Sequence, residues 1–213
     1  MLLIVMRSLS TEALNEMRAR LQAAGKDLFS RFGLAKTTVR EICAAASVPT
    51  GSFYLFYPSK DELYAEILVA AVAEQRERNS ASLPLGPNTE DVRDRERTLR
   101  LFLTRMIDDL ERDPILAQFY RRDSRDSAKR ALISARGGAA YSEISSGLDS
   151  LISGWIGEGL VGGEASSVRK IVQALIFLSV NRAEIAGGAD SALIDSYVEF
   201  VAAGLARGKK EQP

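Results

Sequence analysis

Residues 38–57 read TVREICAAASVPTGSFYLFY, and this stretch decides the fold of the first part of the chain. Its opening Thr38-x-x-Glu41 is a capping box, in which two side chains bond to free backbone N–H groups where a helix begins. Ser47-Val48-Pro49 interrupts the helical spacing that follows. Pro49 is acceptable near the start of a further short helix at Thr50, because no needed N–H group is lost there. The stretch therefore predicts a helix-turn-helix over about 38–57.

Apolar residues before this motif recur at every third or fourth position. They run from Ser10 to Phe32 and predict one amphipathic helix, which Gly33 ends because glycine accepts the left-handed conformation of a helix terminus. A second capping box, Ser59-x-x-Glu62, starts a longer helix after the motif. Together these elements predict a three-helix N-terminal domain over residues 10–60.

The rest of the chain keeps helical spacing and shows no strand pattern. Helices are predicted at roughly 90–112, 114–124, 127–160, 166–187 and 190–206, after a loop at 79–89 that contains two prolines and a glycine. We therefore predict an all-α protein of about nine helices. Its larger C-terminal helical bundle would occupy residues 61–208.

The composition limits the possible functions. Of 213 residues, 46% are hydrophobic and 26% charged, as in a globular protein, and there is no histidine and one cysteine, Cys43. Zinc sites and Ser-His catalytic sites thus lack their usual residues, so we expect no enzyme activity, no metal and no cofactor. The apolar residues 1–6 end at Arg7, before the length of a signal-peptide core or a membrane span. We expect a cytoplasmic protein without a membrane partner.

The net charge is zero, but the charges are unevenly distributed. Residues 1–60 hold eight basic and four acidic side chains, a local net charge of +4 that leaves −4 for the remainder. A basic N-terminal segment attracts a phosphate backbone. Random unevenness in a neutral protein would give the same imbalance.

The second helix of the motif divides into an inner and an outer face, as a helix that reads DNA must. Val48 and Phe53 are spaced to point inward. Four residues can face outward, namely Thr50, Gly51, Ser52 and Tyr54. Arg40, Thr50 and Ser52 are candidates for contacts with bases. Thr38 and Lys60, at helix N-termini, are candidates for contacts with phosphates.

Three segments of the sequence, LFSRFG at 28–33, TTVREI at 37–42 and VPTGSFYLFYPSKDEL at 48–63, resemble the DNA-binding region of the TetR family. The resemblance covers about a quarter of the chain. It implies a homodimeric, all-helical transcriptional regulator, usually a repressor, that leaves its operator DNA when a small-molecule effector fills the C-terminal domain. It also implies roles by position: base contacts for Arg40 and Thr50, phosphate contacts for Tyr54 and Lys60, and close approach to DNA at Gly51.

The chain departs from the family pattern at four positions: Ser47 for a frequent Gly, Thr50 for a frequent Lys, Leu55 for a frequent Tyr and Phe56 for a frequent His. Phe56 cannot donate a hydrogen bond to phosphate, and Thr50 lacks the charge of lysine. Both changes predict weaker attraction to the DNA backbone than is usual in the family.

The two helices predicted at 166–187 and 190–206 offer more apolar surface than a single core-facing side of each helix needs. We predict that they pair with their copies in a homodimer through Ile171, Leu175, Leu178, Leu193, Tyr197 and Val201. The alternative is that both segments are central core helices.

An effector pocket is predicted within the C-terminal bundle. Its candidate residues are Phe102, Met106, Phe119, Tyr120, Tyr141, Ile144, Leu148, Trp155, Phe177 and Asn181. Asn181 and Tyr141 are the more informative, since a polar group at an apolar helix position needs a partner. The alternative is that most of these residues are ordinary core.

Two other functions are compatible with the sequence. One is a small helical enzyme that uses Asp108, Asp109 or Glu184, although no base, nucleophile and orienting partner are recognisable. The other is a protein-interaction module with a degenerate DNA-binding domain. The sequence does not separate a repressor from an activator.

Overall fold

The computed structural model describes residues 10–80, 90–122, 124–186 and 191–208. Within these ranges every regular element is helical, which confirms the all-α prediction. The same ranges hold eleven α-helices: α1 Thr11–Phe32, α2 Val39–Ala46, α3 Thr50–Phe53, α4 Lys60–Ser80, α5 Val92–Arg112, α6 Pro114–Tyr120, α7 Arg125–Ser134, α8 Ala139–Gly157, α9 Ala165–Val180, α10 Arg182–Ala186 and α11 Ser191–Arg207. Residues 1–6 and most of the loop predicted at 79–89 lie outside the described ranges.

Three predicted helices have different bounds in the structure. The helix predicted over 127–160 is divided by a 3₁₀ turn, Ala135–Gly138, where Gly138 adopts a left-handed conformation with φ 87°. The helix predicted over 166–187 is divided at Asn181, and the one predicted over 114–124 ends at Tyr120. The two divisions explain why eleven helices are found in place of nine.

Helix α1 begins and ends where its sequence predicts. Ser10 Oγ accepts a hydrogen bond from the Ala13 N–H group at 3.2 Å, which caps the first turn. At the other end, Gly33 has φ 78° and donates its N–H to Phe29 O at 2.9 Å. Both ends are therefore specified by residues within the helix or next to it.

Helix α4 contacts both the N-terminal helices and the C-terminal bundle. Near its start, the Tyr64 ring packs edge-on against Phe29 of α1, with centroids 5.2 Å apart. Gly25 of α1 lets the two helices approach closely, because a Cβ there would lie 2.9 Å from Leu63 Cδ2. Further along, α4 packs against α7 and α8. The domain boundary at residue 60 stays a prediction, since α4 links the two parts without a break.

The C-terminal bundle is closed by the pairing of α5 with α11. Arg95 of α5 is buried, and its guanidinium donates to Ala206 O at 3.1 and 3.2 Å, which satisfies a carbonyl at the C-terminal end of α11. Phe102 and Trp155 pack edge-on nearby in the core, with centroids 5.0 Å apart. In the ranges that the structure describes, no helix is both long and apolar enough to cross a membrane.

Candidate nucleic-acid interface and effector cavity

The start of α2 is held by the predicted capping box. Thr38 Oγ1 accepts from the Glu41 N–H at 3.2 Å, and the Glu41 carboxylate accepts from the Thr38 N–H at 2.8 Å. The hydrogen bonds from the Thr38 side chain and backbone lower the pKa of Glu41. At the other end, α2 stops at Ser47, whose φ of 53° lies in the left-handed region. The turn is thus made without the glycine that favours this conformation.

Helix α3 has the two faces that its sequence predicts. Phe53 is fully buried and Val48 nearly so, whereas 56% of Tyr54 is exposed. Thr50 and Gly51 are also exposed, and Ser52 is half-buried. A Cβ added at Gly51 would meet no atom within 4 Å. The chain's own packing therefore does not require glycine there, and the outer face of α3 is open to another molecule.

Three side chains predicted to contact DNA differ in whether their hydrogen-bond donors are already bonded within the chain. Arg40 is exposed on α2. Thr38 Oγ1, in contrast, donates to the Glu41 carboxylate at 2.8 Å. Lys60 Nζ donates to Leu34 O and to the Thr37 carbonyl, both at 2.8 Å, so its ammonium closes the segment between α1 and α2. Phosphate contacts by Thr38 and Lys60 stay predictions, and each would compete with a bond inside the chain.

A polar network that the sequence analysis missed fixes the motif to α1 and α4. The Arg18 guanidinium binds both oxygens of Glu66 at 2.8 Å, and its Nε donates to the Tyr57 hydroxyl at 3.3 Å. The hydrogen bonds to Tyr57 and Glu66 raise the pKa of Arg18, while burial raises the pKa of Tyr57. Arg18 and Glu66 are 48 residues apart, so no local pattern could have paired them.

A cavity of about 530 Å³ lies in the C-terminal bundle, between α4, α5, α6, α8 and α9. This volume is within the usual range for small-molecule sites. It is lined by Val72, Ala73, Gln75, Arg76, Glu77, Met106, Leu110, Tyr120, Ile144, Gly147, Leu148, Ser150, Leu151 and Ile176. Four of the ten predicted pocket residues are among them: Met106, Tyr120, Ile144 and Leu148.

Five of the other predicted pocket residues lie elsewhere. Phe102 and Trp155 pack against each other in the core, and Phe119 packs on the ring of its neighbour in α6. Phe177 lies below a guanidinium, that of Arg125, 6.0 Å from the ring centroid. Tyr141 is exposed. Phe102 and Trp155 therefore follow the alternative given above, in which the predicted pocket residues are ordinary core residues.

Asn181, the tenth, is a structural link. It is buried between α9 and α10, and its Oδ1 accepts from the Arg122 N–H at 3.0 Å. Its Nδ2 donates to Tyr120 O at 3.2 Å and to Phe177 O at 2.8 Å. The partners expected for this buried amide are therefore backbone groups, which connect the end of α6 to the end of α9.

The sequence analysis missed the wall of the cavity that α4 forms. Val72, Gln75 and Arg76 project from the second half of this helix. That half is rich in charged residues and leads into the predicted loop at 79–89, so its composition is typical of a solvated helix end. Only the packing of α4 against α8 shows that it covers a cavity.

An apolar surface runs along α9 and α11, the two helices predicted to form the dimer. Ile171 and Tyr197 are exposed, as is 77% of Phe200 beside them. Three further predicted interface residues are half-buried: Leu178, Leu193 and Val201. The interface prediction is wrong for Leu175, because only 1% of this side chain is exposed and it packs within its own protomer. The remaining residues form an apolar face on α9 and α11 that is exposed or half-exposed in the described part of the chain.

Comparisons with known proteins agree with this description. Residues 21–67 match the family model of bacterial regulatory proteins, tetR family. The chain is 31% identical over 114 residues to the HTH-type transcriptional repressor KstR of Rhodococcus jostii (strain RHA1), which covers 54% of this chain and 50% of that protein. It is 37% identical over 78 residues to the HTH-type transcriptional regulator YdgC of Bacillus subtilis (strain 168), covering 36% and 40%. The chain thus spans half or less of the curated relatives it matches.

Solved structures resemble the chain over most of its length. A transcriptional regulator from Rhodococcus sp. Rha1 superimposes with a TM-score of 0.64 at 18% identity, covering 92% of this chain and 99% of that one. The transcriptional regulator FadR from Bacillus subtilis, solved in complex with stearoyl-CoA, gives 0.60 at 19% identity, covering 88% and 98%. At these identities the likeness concerns the fold alone.

The fold and the exposed α3 define a helix-turn-helix protein with a helical C-terminal domain. Over residues 21–67 the chain is similar to the bacterial regulatory proteins of the tetR family, whose family model matches that segment.

Proposed function

We propose that this protein is a homodimeric, sequence-specific DNA-binding transcriptional repressor that a small-molecule effector releases from its operator. The observation that carries the proposal is the outer face of α3. Thr50 and Tyr54 stand exposed on a segment that the buried Phe53 holds firmly in place. A short helix displayed in this way fits the major groove of DNA.

The apolar face of α9 and α11 supports a dimer. Two recognition helices must reach successive major grooves, about 34–36 Å apart, so a regulator of this kind needs two copies held at a fixed distance. Ile171, Tyr197 and Phe200 present apolar side chains to solvent in a single protomer. Their burial against a second copy would remove that exposure and set the spacing of the two DNA-binding domains.

Helix α6 provides a route from the cavity to the DNA-binding domain. Its last residue, Tyr120, lines the cavity. At the start of α6, the carboxylate of the capping residue Asp113 lies 3.8 Å from Lys26 Nζ of α1. Near its end, the Gln118 side chain packs against Gly33, where an added Cβ would come within 2.7 Å of it. An effector that displaces Tyr120 would therefore move a helix that touches α1. Such a ligand lowers the affinity for the operator only if it binds the conformation with α6 displaced more tightly than the DNA-binding conformation.

The three carboxylates of the enzyme alternative lie outside the lining of the cavity. Asp109 lies 4.0 Å from Arg78, and Asp108 and Glu184 are exposed on different helices. The residues that line the cavity do not include any of them. The packing therefore favours a binding function over catalysis.

The proposal is tested by selecting genomic DNA fragments with the purified protein and measuring its affinity for the enriched sequence as salt is varied. We expect a specific site, and an affinity that falls steeply with salt because cations on the protein displace counterions from the phosphates. Failure to enrich any sequence would favour an interaction module with a degenerate DNA-binding domain.

Substitutions on the motif distinguish positioning from sequence reading. Tyr54→Ala is expected to weaken binding to all sequences alike, whereas Arg40→Ala and Thr50→Ala should also change the preferred base, at a cost of about 1–3 kcal/mol for Arg40. Arg97→Ala, an exposed arginine of α5 in the C-terminal bundle, is the matched control. If Tyr54→Ala binds as tightly as the parent, the phosphate role of Tyr54 is wrong.

The dimer is tested with Phe200→Asp, which places a charge in the centre of the apolar face. We expect a shift from dimer to monomer by light scattering, together with loss of operator binding. Ile133→Asp, on the exposed side of α7, serves as the control for a charge at an exposed apolar position. A parent protein that is stably monomeric would overturn this part of the proposal.

A further inference from the structure

The cavity in the C-terminal bundle has an apolar inner end and a polar mouth. Met106, Leu110 and Ile176 form its inner end, and all three are buried. Arg76 and Ser150 also line the cavity but are exposed, so they mark where it meets solvent between α4 and α8. A ligand that matches this polarity has an apolar body and a polar head.

Arg76 supplies a cation at that mouth. In the part of the chain that the structure describes, no carboxylate or carbonyl is bonded to its guanidinium. Its neighbour Arg78, in contrast, pairs with Asp109. The Arg76 guanidinium lies against Gly147 of α8, where an added Cβ would stand 3.0 Å from Cζ and Nη1. The missing side chain of Gly147 thus gives the guanidinium its place beside the cavity.

Gln75 supplies a second donor. Its Nε2 atom is buried and, among the described residues, has no hydrogen-bond partner. A buried N–H group without a partner is costly, and most such groups in folded proteins are satisfied by protein, water or ligand. Because Gln75 lines the same cavity as Arg76, one ligand oxygen group at the mouth could accept from both.

We propose that the cavity binds an amphipathic anion: an alkyl chain that ends in an oxyanion, either a carboxylate or a phosphate. The head binds Arg76 and Gln75, and the chain lies between the apolar side chains of α5, α8 and α9. Glu77 also lines the cavity, but it is exposed to solvent and takes part in another interaction. The inference rests on the proposed function, in that it treats this cavity as the effector site.

Calorimetry on the intact protein tests the head group with four probes of equal chain length. These are dodecanoate, dodecyl phosphate, dodecanol and dodecyltrimethylammonium, each below its micellar concentration. We expect one or both anions to bind at one per protomer, and the neutral and cationic probes to bind at least tenfold more weakly. Dodecanol or the cation binding as tightly as the anions would overturn the proposal, as would no binding by any probe.

Three variants assign the head to its residues. Arg76→Gln is expected to weaken the anion about tenfold to a hundredfold and to leave dodecanol unchanged, while Arg97→Gln on α5 should bind like the parent. Gly147→Ala, which pushes the guanidinium away, should act in the same direction as Arg76→Gln. An unchanged anion affinity in Arg76→Gln overturns the assignment.

Gln75→Leu separates a ligand role from a structural one. Because Gln75 Nε2 has no hydrogen-bond partner among the described residues, replacement of the side chain by leucine should keep or raise the melting temperature while it lowers anion affinity. A lowered melting temperature with unchanged anion affinity would show a structural role and contradict the proposal.

Operator binding by the ligand-free protein is measured separately. If the protein binds its operator but no anion, only this inference fails. If it finds no operator, the proposed function fails whatever the cavity binds.

Discussion

The helix-turn-helix draws its parts from residues 38–57, whereas the walls of the cavity come from five helices between residues 72 and 176. Within the motif, Thr38 caps α2 through a residue three positions away, and Phe53 is buried directly beneath its own exposed neighbours. In the cavity, Arg76 of α4 lies against Gly147 of α8, on a helix far along the chain. A surface formed by residues close in sequence can be predicted from the sequence pattern, whereas a cavity between distant helices cannot.

The largest effect is expected from Phe53→Ala. This ring is fully buried and supports the whole outer face of α3, so its removal should destabilise the protein by about 3–5 kcal/mol, measured by denaturant unfolding. Leu101→Ala, at a half-exposed apolar position on α5, should change stability by less than about 0.5 kcal/mol. Equal effects of the two substitutions would show that α3 is not anchored through Phe53.

Leu148→Ala should lower the free energy of unfolding by less than Phe53→Ala does. The Leu148 side chain is half-buried and faces a cavity, so its removal breaks fewer packing contacts. We expect a loss of about 1–2 kcal/mol, together with tighter binding of ligands that have a longer chain. The measurement is unfolding combined with a series of alkyl anions. A loss as large as that of Phe53→Ala would mean that the cavity collapses around Leu148, and the contrast between the two regions would weaken.

Ser47→Gly is expected to stabilise the motif. Ser47 is held at φ 53°, a conformation that costs an L-residue about 1–2 kcal/mol, and glycine gives part of this back after its own entropic cost. The expected gain is about 0.5–1 kcal/mol in the free energy of unfolding. Ser52→Gly, the same change inside α3, should instead destabilise, since helix interiors disfavour glycine.

The smallest effect is a pH dependence at the start of α2. The folded-state pKa of Glu41 is lowered from its ordinary value of 4.5, so its contribution to stability is complete above that value and disappears as the pH falls through the folded pKa. Glu41→Gln should therefore be less stable than the parent at pH 7, and the difference should shrink in acid. A difference that persists unchanged at low pH would contradict the carboxylate's role in the capping box.

The sequence predicted features formed by neighbouring residues better than features formed by distant segments. Helix α1 was bounded correctly by Ser10 and Gly33 because both act on backbone groups within one turn. The helix predicted over 127–160 was not, because its division depends on a 3₁₀ turn and a left-handed Gly138 inside an apolar stretch that looks continuous. Leu175 has the same spacing as the exposed Ile171, yet it is buried within the protomer.

The sequence alone determined the elements whose causes are local: the capping box at Thr38, the end of α1 at Gly33, and the inward and outward faces of α3. Tertiary structure alone decided which side chains enclose the cavity, that Asn181 serves as a backbone link, and that the Lys60 ammonium binds carbonyls between α1 and α2. The physical reason is range. Caps and helical faces arise from hydrogen bonds and burial over three or four residues, whereas a cavity or a cation bonded to carbonyls takes its partners from segments that only the folded chain brings together.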